Sequence, residues 1–344
     1  MVRFRPLAPW TDPRGGQVER VIIDNGIIAM EVISLGGIIR SLWTPDRKQE
    51  RANIVLGCDS LEDYLEQQAH LGAIAGRYAN RVAKGKMGID GKEYHLDINQ
   101  AGNCLHGGSK GFNQKHWHMG QLSDGVRLNL VSPDGDMGFP GQCNVQLDYR
   151  LVGNNLYMEI FAAVDKACPI SLTQHSYFNL EGSQSTSNGN HQLQIDSTQL
   201  LKLDETGIPT DTTDAKGSLL DLRQAKRFAD FQHQPPLACT SGIDNCYLTG
   251  TSGAELARFG RLYAPESGRS MTLYTNQPSV QIYGANFLQG TKGKGGQVLK
   301  QHQAVCIEPQ QLPDGANQPT LAADPWIAPG DVYHHISRYQ FEAF

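Results

Sequence analysis

Between positions 144 and 160 apolar and polar residues alternate, a pattern that few folds accommodate. Val145, Leu147, Tyr149 and Leu151 alternate with Asn144, Gln146, Asp148 and Arg150; Gly153-Asn154-Asn155 then turns the chain into Leu156, Met158 and Ile160. Successive side chains of a strand leave opposite faces, so a period of two gathers the apolar ones on one side. A helix repeats about every 3.6 residues and cannot produce this pattern. The segment predicts an antiparallel hairpin with one buried face.

Similar short runs fill the rest of the chain. ERVIIDN, IIAMEVI and GGIIRSLW follow one another from Glu19, broken at Asn25-Gly26 and Gly36-Gly37, and NIVLG comes next. MGIDGKEYHL reads as a hairpin turning at Asp90-Gly91, and GVRLNLVS puts Val126, Leu128 and Leu130 on one face. PISLTQHSYFNL at 169–180, two runs within SMTLYTNQPSVQIYGANF, and residues 303–308 and 331–341 supply further strands. The polar loop EGSQSTSNGN is expected to be a flexible excursion. Helical patterns are few: SLEDYLEQQA, with Ser60 as N-cap, and at most LRQAKRFAD at 222–230. With 37 Gly and 17 Pro among 344 residues, turns are plentiful, and 39% apolar residues suffice for a large core. No repeat of fixed period divides the chain. The expectation is an all-β, antiparallel sandwich forming a single domain over 1–344, with few short helices.

Composition narrows the partners. The net charge is −5 and no run of Lys or Arg stands out, which argues against a nucleic-acid surface. No window has the roughly 18 apolar residues of a membrane span, and the N-terminal MVRFRPLAPWTDPRGG has no apolar h-region. Cysteines at 58, 104, 143, 168, 239, 246 and 306 form no CxxC pair and read as reduced, mostly buried thiols of a cytoplasmic protein.

Candidate chemistry is scattered. His116/His118 and His334/His335 lack an HExxH context and a third ligand of fitting spacing, so no metal site is expected. No GxSxG elbow occurs, and KGKGG at 292–296 lacks the GxxxxGK[ST] pattern and reads as a mobile loop. The stretch from Gly76 to Trp117 concentrates Gly-rich turns with Arg81, His95, His106 and His116, as strand-end loops do when they hold polar groups at a pocket. Three polar islands remain. QHSYFNL sets His175 in an apolar run, where a satisfied core histidine is the ordinary reading. SGIDNCY carries Asp244 at a turn-to-strand boundary, where an Asx cap is the ordinary reading. CIEPQQLPDGANQP delivers Glu308 on a buried strand, and glutamate is almost never fully buried without a partner.

GRYANR, LHGG, HSYFNL, the aspartate of IDNCY, VQIYGANFL and the IEPQxxPDxxNQP stretch occur here in the order seen in the aldose 1-epimerases. The chain resembles that family from about Ile22 to Tyr339. The resemblance implies a large antiparallel β-supersandwich and an enzyme that interconverts the α and β anomers of free aldoses such as galactose or glucose. It further implies His175 as general acid, Glu308 as general base, and Asn80, Arg81, His106, Tyr177, Asp244 and Gln281 as sugar-binding positions. Two positions depart from the family pattern: Asp244 is followed by Asn245 where many members have His, and Glu308 by Pro309 where many have Thr. The implied reaction needs no cofactor and no metal, its partner is a monosaccharide, and the chain is a monomer or homodimer. Alternatives are a glycoside hydrolase using Glu308 with Asp244, an epimerase of phosphorylated sugars, and a non-catalytic carbohydrate-binding protein of the same fold.

Overall fold

A computed structural model describes residues 2–89, 91–251, 253, 255–321 and 324–344. The alternating segment forms the expected hairpin, Cys143–Val152 with Asn155–Val164, in register from Cys143 opposite Val164 to Val152 opposite Asn155. Its turn is shorter than expected, because Asn155 already belongs to the return strand. Gly153, at φ +59°, supplies the left-handed dihedral of a two-residue turn. Val145, Leu147, Tyr149, Leu151, Met158 and Ile160 are all buried. Asp148, on the polar side of the alternation, is buried as well. It sits opposite Arg127, whose Nε and Nη2 donate to its two oxygens at 2.7 Å, and Arg150 Nη2 reaches it at 3.2 Å. The paired charges offset the desolvation of that carboxylate.

Among the described residues, this hairpin lies within a nine-stranded antiparallel sheet. The C-terminal strand Tyr333–Ala343 fills its middle, between Asn155–Val164 and Arg269–Thr275. A five-stranded sheet runs consecutively through Arg3–Thr11, Gln17–Asp24, Ala29–Ile33, Ile38–Pro45 and Arg51–Asn53. Its first strand went unread in the sequence because it is a largely exposed edge. A second five-stranded sheet orders Pro209–Asp214, Gln199–Leu203, Asp244–Leu248, Ser279–Tyr283 and Cys306–Gln310. One apolar cluster joins all three sheets, with Ile23, Met30 and Val32 from the first, Leu147 and Ile160 from the largest, and Val280, Ile282 and Ile307 from the last. Each such side chain contributes about 1.5–3 kcal/mol on burial, so the shared core fixes the sheets against one another. Tyr149 Oη adds a bond across that core, donating to Gly37 O at 2.9 Å.

The hairpin of Lys86–Ile89 with Lys92–His95 forms, pairing Ile89 with Lys92; Asp90 of its anticipated turn lies outside the described residues. Helix Leu61–Glu66 starts at Ser60, whose Oγ accepts from Asp63 N at 3.2 Å. The second anticipated helix does not form. Lys226–Arg227 is a short strand against Gln192–Ile195, and Phe228–Asp230 is a single 3-10 turn that buries Phe228. Two loops read as mobile are anchored. Asn188 Nδ2 donates to Gly284 O and Ala304 O at 3.1 and 2.7 Å, tying down EGSQSTSNGN. In KGKGG, Lys294 reaches inward to the Ser41 hydroxyl, and Gly296 N donates to Asp59 Oδ2 at 3.1 Å. The seven cysteines are free, six of them buried and Cys239 exposed.

Candidate active site

The floor of the site is one face of the last sheet. Gln281 stands opposite both Cys246 and Glu308, and Tyr283 opposite both Asp244 and Cys306. The period of two therefore puts Asp244, Gln281, Tyr283, Cys306 and Glu308 on one face, while Val280, Ile282 and Ile307 enter the core on the other. Amide chemistry orders this face. Asn80 Nδ2 donates to Gln281 Oε1 at 3.2 Å, and Gln281 Nε2 donates to Asp244 Oδ1 at 2.7 Å.

The GRYANR and LHGG segments meet over this floor. Arg81–Val82 pairs with Cys104–Leu105, and just beyond that ladder Asn80 N donates to His106 Nδ1 at 3.1 Å while His106 N donates to Asn80 O at 3.0 Å. Because His106 Nδ1 accepts, the neutral ring carries its proton on Nε2. Asn80 and His106 both sit at positive φ, +66° and +53°, a cost that such mutual bonding offsets. Gly107 is required here: a Cβ on it would stand 2.0 Å from Gly76 O. Arg81 Nε donates to Gln100 Oε1 at 3.2 Å.

His175 is held by its backbone, which donates to Ala73 O at 2.8 Å and accepts from Gly72 N at 2.9 Å. Its ring stacks on Tyr177, centroids 5.1 Å apart. His175 Nε2 lies 3.5 Å from Glu308 Oε2, and the two residues are 5% and 2% exposed. Burial, with the Asp244 carboxyl adding to it, holds Glu308 well above the usual carboxylate range. Burial pushes His175 down to about 3, with His70 contributing. Both groups thus depart from the ordinary values of a free carboxylate and imidazole. Both shifts favour the uncharged forms, a carboxylic acid beside a neutral imidazole. Carboxylate with imidazolium holds the same single proton, so the two forms differ only by a transfer across this short gap. Burial also raises Asp244, against the pull of Arg81 and Gln281.

All eight residues singled out in the sequence, Asn80, Arg81, His106, His175, Tyr177, Asp244, Gln281 and Glu308, line one cavity of about 360 Å³. That is the lower part of the range for small-molecule sites. Sequence reasoning missed His70, Tyr283 and Phe287, which also line it. Tyr283 was within reach, being two residues beyond Gln281 on the same strand. His70 was not: it follows a helix-like run at positive φ, and only folding brings its ring within 4.8 Å of His106 and 6.0 Å of His175. The histidine pairs weighed for metal have other partners: His116 meets Asp12 at 2.7 Å, and His334 meets Glu159 at 3.0 Å and stacks on Phe161. A different set comes together at the floor, where the donor atoms of His175, Cys306 and Glu308 lie within 4.8 Å of one another.

The arrangement can exchange protons with a ligand rich in hydroxyls, since amide, guanidinium, imidazole and carboxyl groups surround a buried acid–base pair. Comparison with known proteins names the class. The aldose 1-epimerase family model matches residues 19–340, and the chain belongs to that family. Galactose mutarotase of Homo sapiens is 39% identical over 334 residues, 95% of each chain. Aldose 1-epimerase of Escherichia coli K12 is 35% identical over 335 residues, covering 95% of this chain and 96% of the relative. A crystal structure of an aldose epimerase homologue from C. elegans superposes with a TM-score of 0.85 at 26% identity, covering 93% of this chain and 97% of that one. The chain is thus an isomerase, an aldose 1-epimerase that takes a sugar as substrate. Among the described residues no helix is long and apolar enough to cross a membrane.

Proposed function

We propose that this enzyme equilibrates the α and β anomers of free, neutral aldoses, galactose or glucose among them, with Glu308 as base and His175 as acid. The observation that carries the reading is the 3.5 Å contact of His175 Nε2 with Glu308 Oε2 on the floor of a cavity lined by Asn80, Arg81, His106, Asp244 and Gln281. Glu308, as carboxylate, takes the proton of the C1 hydroxyl while His175 gives one to the ring oxygen, and the C1–O5 bond breaks. The open-chain aldehyde turns about C1–C2. Attack by the C5 hydroxyl on the other carbonyl face returns both protons and closes the opposite anomer. Two positioned proton transfers, each worth about 10²–10⁴-fold, suit a reaction that is redox-neutral and calls for no cofactor.

His106 Nε2–H, the Arg81 guanidinium, Asp244 and Gln281 hold the sugar hydroxyls, and Tyr177 braces the His175 ring. Among the cavity-lining residues Arg81 is the sole Arg or Lys, and it faces Asp244, which favours a neutral sugar over its phosphate. Asn245 and Pro309 stand beside the site without replacing any of these groups, and bear on sugar preference. We take 1–344 as one domain working in the cytoplasm, as a monomer or homodimer. The test is exchange NMR between anomers for a panel of free aldoses and one hexose 6-phosphate. Faster catalysed exchange of the phosphate would overturn the substrate assignment.

A further inference from the structure

The sheet face beneath the cavity carries one donor that proton transfer does not use. Cys306 lies two residues before Glu308 on the same strand, so its side chain leaves the same face of the sheet. It is fully buried, as are Glu308 and His175 within a few per cent. Thiol, imidazole and carboxyl converge to within 4.8 Å, the sole such group of three among the described residues. Nitrogen, sulfur and oxygen together form a donor set that zinc accepts.

Distances support the match. Zinc binds nitrogen and oxygen ligands at about 2.0–2.2 Å in a tetrahedron, which sets neighbouring donors about 3.4 Å apart. His175 Nε2 and Glu308 Oε2 are already 3.5 Å apart. With a zinc–sulfur bond of about 2.3 Å, the thiolate has to close by at most about 1.3 Å from the 4.8 Å limit. Charge also balances, since a dication with one thiolate and one carboxylate is neutral, the form that a buried site tolerates best.

We infer that His175, Cys306 and Glu308 form a binding site for a borderline-soft divalent cation such as Zn²⁺, and that the bound ion blocks epimerisation. Binding forms bonds from the metal to Nε2, Sγ and a carboxylate oxygen. The thiol proton and the one proton held by the His175–Glu308 pair leave to solvent, and nothing is oxidised or reduced. With its lone pair on the metal, Nε2 has no proton to give the ring oxygen, and the coordinated carboxylate is a poor base for the C1 hydroxyl. The inhibitory effect rests on the catalytic reading of His175 and Glu308; binding of the ion does not.

The test uses full-length protein freed of metal with a chelator, Co²⁺ as a spectroscopic probe, and Zn²⁺ titrated into an anomer-exchange assay. Expected for wild type are a cobalt–thiolate charge-transfer band in the near ultraviolet and Zn²⁺ inhibition reversed by chelator. Cys306→Ser, or Cys306→Ala if serine is not tolerated, should retain turnover and lose the band. It should also need Zn²⁺ raised by at least the roughly 10–100-fold that even an outer-shell change costs a metal site. Cys246→Ser, on Asp244–Leu248 and separated from Cys306 by the strand Ser279–Tyr283, should change neither readout. Absence of the band in wild type, or equal inhibition of wild type and both Cys306 variants, overturns the proposal. Failure of the catalytic reading looks different: the cobalt band would form in wild type and be lost in the Cys306 variants, while Zn²⁺ left anomer exchange unchanged in all of them.

Discussion

Replacing Glu308 by Gln separates chemistry from architecture at this site. Gln matches Glu in size, so the cross-strand pairing with Gln281 and the packing around a residue only 2% exposed are kept. What disappears is the one group at 3.5 Å from His175 Nε2 that can take a proton from the C1 hydroxyl. A positioned base contributes about 10²–10⁴-fold, so turnover should fall by that factor, equivalent to about 2.7–5.4 kcal/mol of barrier, with KM little changed. Stability should move the other way. Folding raises the Glu308 pKa, so it disfavours the ionised form. Wild type therefore loses stability as pH rises from the ordinary carboxylate range through the raised value, and Gln carries no such penalty. Glu308→Gln should be at least as stable as wild type at pH 7, with its advantage fading below about pH 4. The assay is anomer exchange and thermal melting on one sample at both pH values. A well-folded, fully active variant would remove Glu308 from the mechanism. A lowered melting temperature with normal turnover of the folded fraction would make Glu308 a structural anchor of the PQQLPDG loop.

Further outcomes follow from the same geometry. His175→Asn should lose turnover to a similar order, and the double variant with Glu308→Gln should be little worse than the poorer single one, because both serve one ring opening; simple multiplication of the two losses would contradict a shared step. In the pH profile of kcat/KM, the acid limb should fall near pH 3, where His175 gains a second proton for the pair, and the alkaline limb should lie well above the ordinary carboxylate range. An acid limb close to the ordinary glutamate value near 4.3 would show that the two groups titrate unperturbed. Gln281→Ala breaks the Asn80–Gln281–Asp244 chain and leaves buried polar groups unpaired, a cost of about 1–3 kcal/mol, and should lower kcat/KM by about 5–150-fold, mostly through KM. An unchanged KM for the sugar would exclude that chain from substrate binding.

The alternation over Cys143–Val164 and the short runs around it were legible in the sequence because a strand's exposure pattern is local: one buried face writes itself as a period of two. The same signal failed where exposure was not one-sided. Arg3–Thr11 is an edge with little burial on either face, and Lys226–Arg227 owes its conformation to the strand beside it rather than to its own helix-like composition. The two anchored loops misled for a related reason. Polar, Gly-rich composition describes a segment's own freedom, while Asn188 and Lys294 are fixed by carbonyls and a hydroxyl more than 90 positions away in the chain.

At the site, the eight residues were found through motifs in the chain, since cavity walls demand particular side chains at particular strand ends. Their being assembled was not visible there. Glu308 and Gln281 meet because their strands pair, and His175 comes within 3.5 Å of Glu308 because its backbone is bonded to the Gly72–Ala73 turn rather than to any neighbour in sequence. His70 and Cys306 enter the picture only through that assembly. The protonation states were decided at the same level. A side chain's type sets its ordinary pKa, but desolvation depends on everything packed around it, and that moved Glu308 up and His175 down to about 3. The fold class and the eight cavity-lining residues could be read from local pattern and motif; long-range packing decided their distances, their charges and the company they keep.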